Sequence, residues 1–165
     1  MFRTVILTIS DRCFTGERKD ESGPLVEESL PPNAYTITER KILPDDLDVI
    51  KGALMQFVSR GNVDLILTTG GTGFGPRDVT PEATAMVVHK RTPGIDFALY
   101  LNGLSSTPYA VLSRGISGIR NQTLIVNLPG SPKAIDESIE ILITVLPHAL
   151  KLIRDEAPED EHRFA

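Results

Sequence analysis

The sequence predicts a three-layer α/β/α fold built on an open, mostly parallel sheet. Three observations carry that expectation. Short β-branched runs such as "TVILTIS" (4–10) and "VDLILTT" (63–69) are almost wholly apolar, as in strands buried on both faces. Stretches of helical periodicity separate these runs, the order of a crossover-connected sheet. The connections after the strands carry glycine, proline and acids, and ligands in such folds bind beyond the carboxyl ends of the strands.

The elements follow in order. After the first strand comes a polar loop, "DRCFTGERKDES", and then "SGPLVEESL", in which Ser22 can cap a helix with Pro24 in its first turn. "YTITERKIL" (35–43) alternates as a strand. "PDDLDVIKGALMQFVSR" is helical: Leu47, Ile50, Leu54 and Phe57 recur at three- and four-residue steps, with acids at the N-terminal end. After the strand at 63–69 and a glycine-rich loop, Thr80-Pro81-Glu82 starts a helix, with a capping hydroxyl and a proline at the first helical position. "TPG" (92–94) breaks the chain, and a mixed apolar segment runs to about Leu104. "YAVLSRG" and "QTLIVNL" read as strands. Ser131 and Pro132 then open a long helix, which Pro147 kinks or divides. Residues 1–155 form one domain, and the charged tail 156–165 is expected to fray.

Composition narrows the function classes. A formal net charge of −5 argues against a general nucleic-acid binder, which would show a basic face. The single cysteine, Cys13, rules out an intramolecular disulfide framework and fits a reducing compartment. No segment reaches transmembrane length, and the expected location is cytoplasmic. His89, His148 and His162 are scattered, so no zinc site and no catalytic triad is read.

The chemistry concentrates in "LTTGGTGFGPRDVTPEAT" (67–84). Gly70, Gly71, Thr72 and Gly73 follow a strand and precede a helix start, where bare backbone N–H groups can surround a phosphate. The loop is neither a Walker A loop nor the dinucleotide fingerprint, since no Gly-Lys-Ser/Thr follows and position 76 is proline. Arg77 can pair a phosphate and Asp78 can hold Mg²⁺; the pair also reads as a local salt bridge. Asp45 and Asp46 follow the preceding strand, and Asp45 reads as a second rim acid or as a helix cap. "VNLPGSPKA" (126–134) adds Lys133 in a helix's first turn, which hints at an anion. Ser10 and Asp11 end the first strand, and "LSRG" supplies Ser113 and Arg114.

These segments fall together in one order. The glycine-loop stretch, with "SD" after the first strand, "D-x-SG" at 20–23, "PDD" at 44–46, "PG" at 93–94, "LSR" at 112–114 and "NLPG" at 127–130, resembles the molybdopterin adenylyltransferases, including the bacterial single-domain enzymes and the plant and gephyrin G domains. The similarity spans about residues 4–153. It implies the molybdenum-cofactor-biosynthesis fold, a homotrimer, and Mg²⁺-dependent transfer of AMP from ATP to the terminal phosphate of molybdopterin with release of pyrophosphate. A molybdenum-insertion protein is the candidate partner; no nucleic acid or membrane is implied. The family's two important aspartates fall on Asp45 and Asp78, and its pterin-binding serine falls on Ser113. Gly70, Gly71, Thr72, Gly73 and Arg77 are then the nucleotide-binding candidates. Ser10, Asp11, Ser22, Ser113, Asn127, Pro129, Gly130, Ser131 and Lys133 are the molybdopterin-binding candidates. Two departures stand out: Asp46 replaces the common glutamate of the acidic motif, and Gly103 replaces a serine found in several members. The alternative is a molybdopterin-binding carrier or scaffold module of the same fold that does not adenylylate.

Overall fold

Period-two alternation in three apolar runs decides the architecture. The computed structural model describes residues 1–156. Strands β1 (Phe2–Ile9), β3 (Leu65–Thr69) and β6 (Thr123–Leu128) lie side by side in the middle of the sheet, and each sends alternate side chains to opposite faces. Ile6, Leu65, Leu67, Leu124 and Val126 form one core with Val26 and Leu30, from α2 (Ser22–Ser29) and the residue that caps it, and with Ile135, Ile139, Leu142 and Leu146 of α6 (Pro132–Ile153). Val5, Leu7, Ile9, Ile66 and Ile125 form the other with Ile50, Leu54 and Phe57 of α3 (Leu47–Ser59) and Ala83 and Val87 of α4 (Thr80–Val87). Helices therefore cover both faces, as expected of strands with no polar side.

The six-stranded sheet has the order β2-β1-β3-β6-β5-β4, with β2 at Tyr35–Leu43, β4 at Lys90–Arg91 and β5 at Ser117–Arg120. The pairs β1–β2, β1–β3 and β3–β6 are parallel; β5 is antiparallel to both β6 and β4. The sheet is thus mixed, with β5 alone reversed. β2 and β3 are not neighbours, because β1 separates them. The acids that follow β2 and β3 reach one rim by flanking the end of β1.

Several local expectations are corrected. Residues 109–115 are not a strand: Thr107 accepts from the Tyr109 N–H and opens a 3-10 turn, Pro108–Leu112. The segment after Thr92 is a helix, α5 (Pro93–Ser106), none of whose residues is fully buried, so it lacks the apolar stripe that marks a helix in sequence. The short strand β5 carries glycine and serine and gave no alternation to read. α6 runs unbroken through Pro147. Ser22 does not cap α2; Asp20 Oδ1 accepts from the N–H groups of Ser22 and Gly23 instead (3.1 and 3.0 Å). Cys13 is buried in the short helix α1 (Asp11–Phe14). The charged tail lies, beyond Glu156, outside the described residues. No helix among the described residues is long and apolar enough to cross a membrane.

Candidate functional site

The glycine loop is pressed onto the end of β1. Gly70 and Gly71 have φ of +96° and +63°, the left-handed region that favours glycine. A β-carbon on Gly70 would overlap the Ile9 carbonyl oxygen, a backbone atom that cannot rotate away. The loop is then closed from behind. Thr80 Oγ1 donates to the Gly70 carbonyl (3.0 Å) and Thr80 N–H donates to the Gly71 carbonyl (3.1 Å). The Thr80 hydroxyl, expected as a helix cap, is therefore a loop latch, and Val79 occupies the cap position of α4. Both carbonyls are thereby occupied, while most of the loop's N–H groups are not. Among the described residues, nothing accepts from the N–H of Gly71, Thr72, Gly73 or Phe74.

Asp45 and Asp78 stand on either side of this loop. Asp78 Oδ2 accepts from the Gly75 N–H (2.9 Å), and among the described residues nothing donates to Oδ1. Asp45 and Asp11 exchange bonds across the ends of β1 and β2. Asp11 N–H donates to Asp45 Oδ2 (2.7 Å) and Asp45 N–H donates to Asp11 Oδ1 (3.0 Å). Asp45 Oδ1 is likewise uncommitted, and a β-carbon on Gly71 would stand 3.1 Å from it. Burial pushes the Asp45 carboxyl above the ordinary carboxylate range, and the negative charges of Asp11 and Asp78 add to the effect against the Asp11 N–H bond. Asp46, not Asp45, caps α3, accepting from the Val49 N–H (3.0 Å). The departure from glutamate thus has a local function: aspartate is among the best cap residues.

Arg77 is paired rather than free. Its Nε and Nη2 donate to the two oxygens of Asp11, both at 3.0 Å. The Arg77 bond is the main cause holding the Asp11 carboxyl below its ordinary range. Lys133 Nζ lies 3.7 Å from Glu137 Oε1. Among the described residues no three His, Cys, Asp or Glu side chains gather as a ready-made metal cage.

Beside the rim lies a cavity of about 270 Å³ between α5, the 3-10 turn, the end of β6 and the start of α6. Ser113, Asn127, Pro129 and Ser131 of the expected pterin set line it; Ser10, Asp11, Ser22, Gly130 and Lys133 do not. Asn127 is buried and committed, donating to the hydroxyls of Thr68 and Thr84 (2.9 Å each) and accepting from the Ile116 N–H. Ser131 Oγ caps α6, accepting from the Ala134 N–H at 3.4 Å. Ser10 Oγ caps α1, and Ser22 Oγ donates to the Gly130 carbonyl (3.2 Å). Pro129 O accepts from the Thr69 hydroxyl (2.8 Å), and the Gly130 site lies against Gly70, so the "NLPG" turn braces the glycine loop. Sequence reasoning missed Asp96, Tyr100 and Tyr109 in the lining because α5 and the 3-10 turn were not recognised, and it missed Glu137 on α6 because nothing local marks which face of that helix meets the cavity. Gly103 also lines it; a β-carbon there would stand 3.0 Å from Ala110 Cβ, so glycine lets the 3-10 turn close on α5. Arg114 was named without a role. Its N–H, Nε and Nη2 donate to the carbonyls of Thr72, Gly73 and Asp78, all at 2.8 Å, and its Nη1 pairs with Glu82.

Residues 5–148 match the family described as "Probable molybdopterin binding domain". The chain is 39% identical over 150 residues to the protein of Helicobacter pylori named molybdopterin adenylyltransferase, covering 90% of this chain and 85% of that one. It is 45% identical over 152 residues to the molybdenum cofactor synthesis protein cinnamon of Drosophila melanogaster. That alignment covers 92% of this chain, which spans about a quarter (25%) of the fly protein's length. In structure, the molybdopterin biosynthesis enzyme MoaB of Thermus thermophilus superposes with a TM-score of 0.88 at 46% identity, over 94% of this chain and 98% of that one. The agreement covers nearly the whole described chain, which belongs to the MoCF_biosynth family.

Proposed function

We propose that this chain transfers AMP from ATP to the terminal phosphate of molybdopterin, releasing pyrophosphate, with Mg²⁺ as cofactor. The observation that carries the reading is the glycine cradle: N–H groups at Gly71, Thr72, Gly73 and Phe74 that have no acceptor among the described residues, flanked by Asp45 and Asp78. The similarity to proteins named molybdopterin adenylyltransferase supplies the substrates.

The cradle would hold the nucleotide phosphates by backbone donors, a preorganised arrangement that needs no rearrangement when charge develops. The molybdopterin would occupy the cavity, its pterin against Ser113 and the mouth formed by Pro129 and Ser131. Its terminal phosphate then faces the loop that Arg114 and the "NLPG" turn hold in place. The nucleophile is a phosphate monoester with a second pKa of about 6, so near neutral pH it is already mostly a dianion. One of its oxygens attacks the α-phosphorus of ATP, a new P–O–P bond forms, and the α–β bond breaks with its electron pair leaving on pyrophosphate. No general base is required of Asp45 or Asp78.

Those two residues fit Mg²⁺ instead. Each keeps Oδ1 without a hydrogen bond, and Mg²⁺ is usually held by one or two carboxylates plus substrate phosphates, so a three-residue cage is unnecessary. When bound there, the ion offsets the charge on the reacting phosphates. In this structure Arg77 is bonded to Asp11 and Lys133 lies beside Glu137, so their contribution to phosphate binding requires that those pairs open.

A homotrimer, a cytoplasmic location and a molybdenum-insertion partner belong to the same proposal. Exposed apolar side chains on α5 and the 3-10 turn, among them Phe97, Leu101, Tyr109 and Val111, support an assembly, and a native-mass measurement decides it. Pyrophosphate release is assayed with ATP and Mg²⁺, with and without molybdopterin. Release that depends on molybdopterin is expected. Molybdopterin binding without any release would instead identify a carrier or scaffold module.

A further inference from the structure

Extended backbone at Ser113 (φ −82°, ψ 131°) turns successive side chains to opposite sides. Ser113 and Gly115 line the cavity, while the side chain between them leaves it for the glycine loop. Arg114 holds the loop at both ends, through Thr72 and Gly73 at its start and Asp78 at its finish, and anchors to Glu82 on α4. Gly115 is pinned in turn, since a β-carbon there would stand 3.1 Å from the Asn127 carbonyl. The segment has little freedom to move on the cavity side without moving its arginine.

We infer that Arg114 is a positioning residue that couples the two halves of the site: a ligand seated against Ser113 fixes residues 113–115, and through Arg114 fixes the loop that bears the phosphate cradle and Asp78. The inference rests on the proposed reading for the identity of the two ligands. It adds a sign. Two anionic ligands in adjoining sites repel, so electrostatics alone makes each weaken the other. Mechanical coupling through Arg114 makes each tighten the other, and by linkage the two effects are equal.

Affinity for Mg²⁺ with α,β-methylene-ATP is measured on the full chain, with and without molybdopterin prepared anaerobically. In the wild type, molybdopterin should tighten the nucleotide by about 5-fold or more, the lower end of usual coupling. Arg114→Gln should bring that factor to about one while each ligand alone still binds. Arg114→Lys keeps the charge and the main-chain bond to Thr72, but one ammonium cannot span the Gly73 and Asp78 carbonyls and Glu82 together, so it should lose most of the factor as well. Full coupling in Arg114→Lys would show that charge alone acts and would overturn the inference. So would a wild-type factor of one or below, or an unchanged factor in Arg114→Gln. Should both variants fail to fold, amide exchange in the wild type decides: molybdopterin alone should slow exchange across 72–78, and no slowing overturns the coupling. If molybdopterin does not bind the wild type, the adenylyltransferase reading itself fails, and that arm shows it separately.

Discussion

Gly71→Ala tests whether the loop is glycine because of its dihedral angle or because of what lies against it. The left-handed φ of +63° alone costs an alanine roughly 1–2 kcal/mol. The new β-carbon would overlap Thr80 Oγ1 and approach Asp45 Oδ1 at 3.1 Å and Ile9 Cγ2 at 3.3 Å. Thr80 is fully buried and its hydroxyl holds the Gly70 carbonyl, so pushing it aside leaves a buried bond unmade, worth roughly 1–3 kcal/mol. Together these come to roughly 3 kcal/mol, or a melting temperature lower by roughly 6–12 °C in a domain of this size. Turnover should fall further than stability. A shift of even 1 Å at a reacting group can cost about 100-fold, and the same β-carbon crowds the Asp45 carboxylate. Gly16 supplies the control: its φ is +80°, with nothing within 4 Å of an added β-carbon. Gly16→Ala should lose roughly 1 kcal/mol and no turnover. Thermal melts and the pyrophosphate assay read both. If Gly71→Ala melts alongside Gly16→Ala and keeps full turnover, the packing argument for the loop is wrong.

Other perturbations separate function from stability. Asp78→Asn and Asp45→Asn should each reduce turnover by orders of magnitude while molybdopterin still binds, and near-full turnover at saturating Mg²⁺ would reject the metal-holding role. Asp45→Asn should nevertheless melt at or above the wild type at pH 7. A carboxyl whose native pKa is raised, here chiefly by burial, destabilises the fold as pH rises from the unfolded value of about 3.9 through the native one. The advantage should therefore vanish in melts below that window. Asp64→Asn acts at the opposite end of the strands. Burial alone would raise the Asp64 carboxyl, but bonds from Arg3 and Arg154 outweigh it and hold it well below the carboxylate range. Its contribution is full above about pH 4 and is lost as pH falls through the native pKa, so the variant should lose roughly 3 kcal/mol at neutral pH and progressively less in acid. Turnover per folded molecule should not change. Tyr35→Phe should raise the melting temperature by roughly 2–4 °C, because the Tyr35 hydroxyl is buried with no hydrogen-bond partner among the described residues and its removal relieves about 1 kcal/mol; a lower melt would mean the hydroxyl is hydrated.

The alternation of β1, β3 and β6 and the placement of the glycine loop at a strand's carboxyl end were readable because both follow from local chemistry. Buried strands must be apolar, and a sharp strand-to-helix turn needs glycine and proline. What could not be read is which of two similar residues takes which partner. Asp45 and Asp46 are the same residue type in adjacent positions, and only the fold shows that one faces Asp11 and the other caps α3. Thr80 has every mark of a cap, yet the folded-back loop presents a carbonyl to its hydroxyl first. Strand order is equally silent in the sequence: that β1 lies between β2 and β3 depends on pairing, which no single strand records. The role of Arg114 is the extreme case, since its acceptors lie 32 to 42 residues earlier in the chain.

The charge arrangement at the rim explains why the proposed chemistry would need a cation. Arg77 is held in a bidentate pair by Asp11, and Arg114 is held by Glu82 and three backbone carbonyls. Each guanidinium is already paired with a carboxylate, while Asp45 and Asp78 beside the cradle keep one bare oxygen each. Polyphosphate approaching alone would meet backbone dipoles and net negative side chains. A nucleotide that arrives with a divalent ion would meet less repulsion, because the ion cancels part of the phosphate charge and gives the two carboxylates a cation to bind. The strain visible at Asp45, a carboxyl pushed toward neutrality by burial and by two neighbouring acids, is the same preference seen from the protein's side: the ion that relieves the ligand's charge relieves the residue's as well.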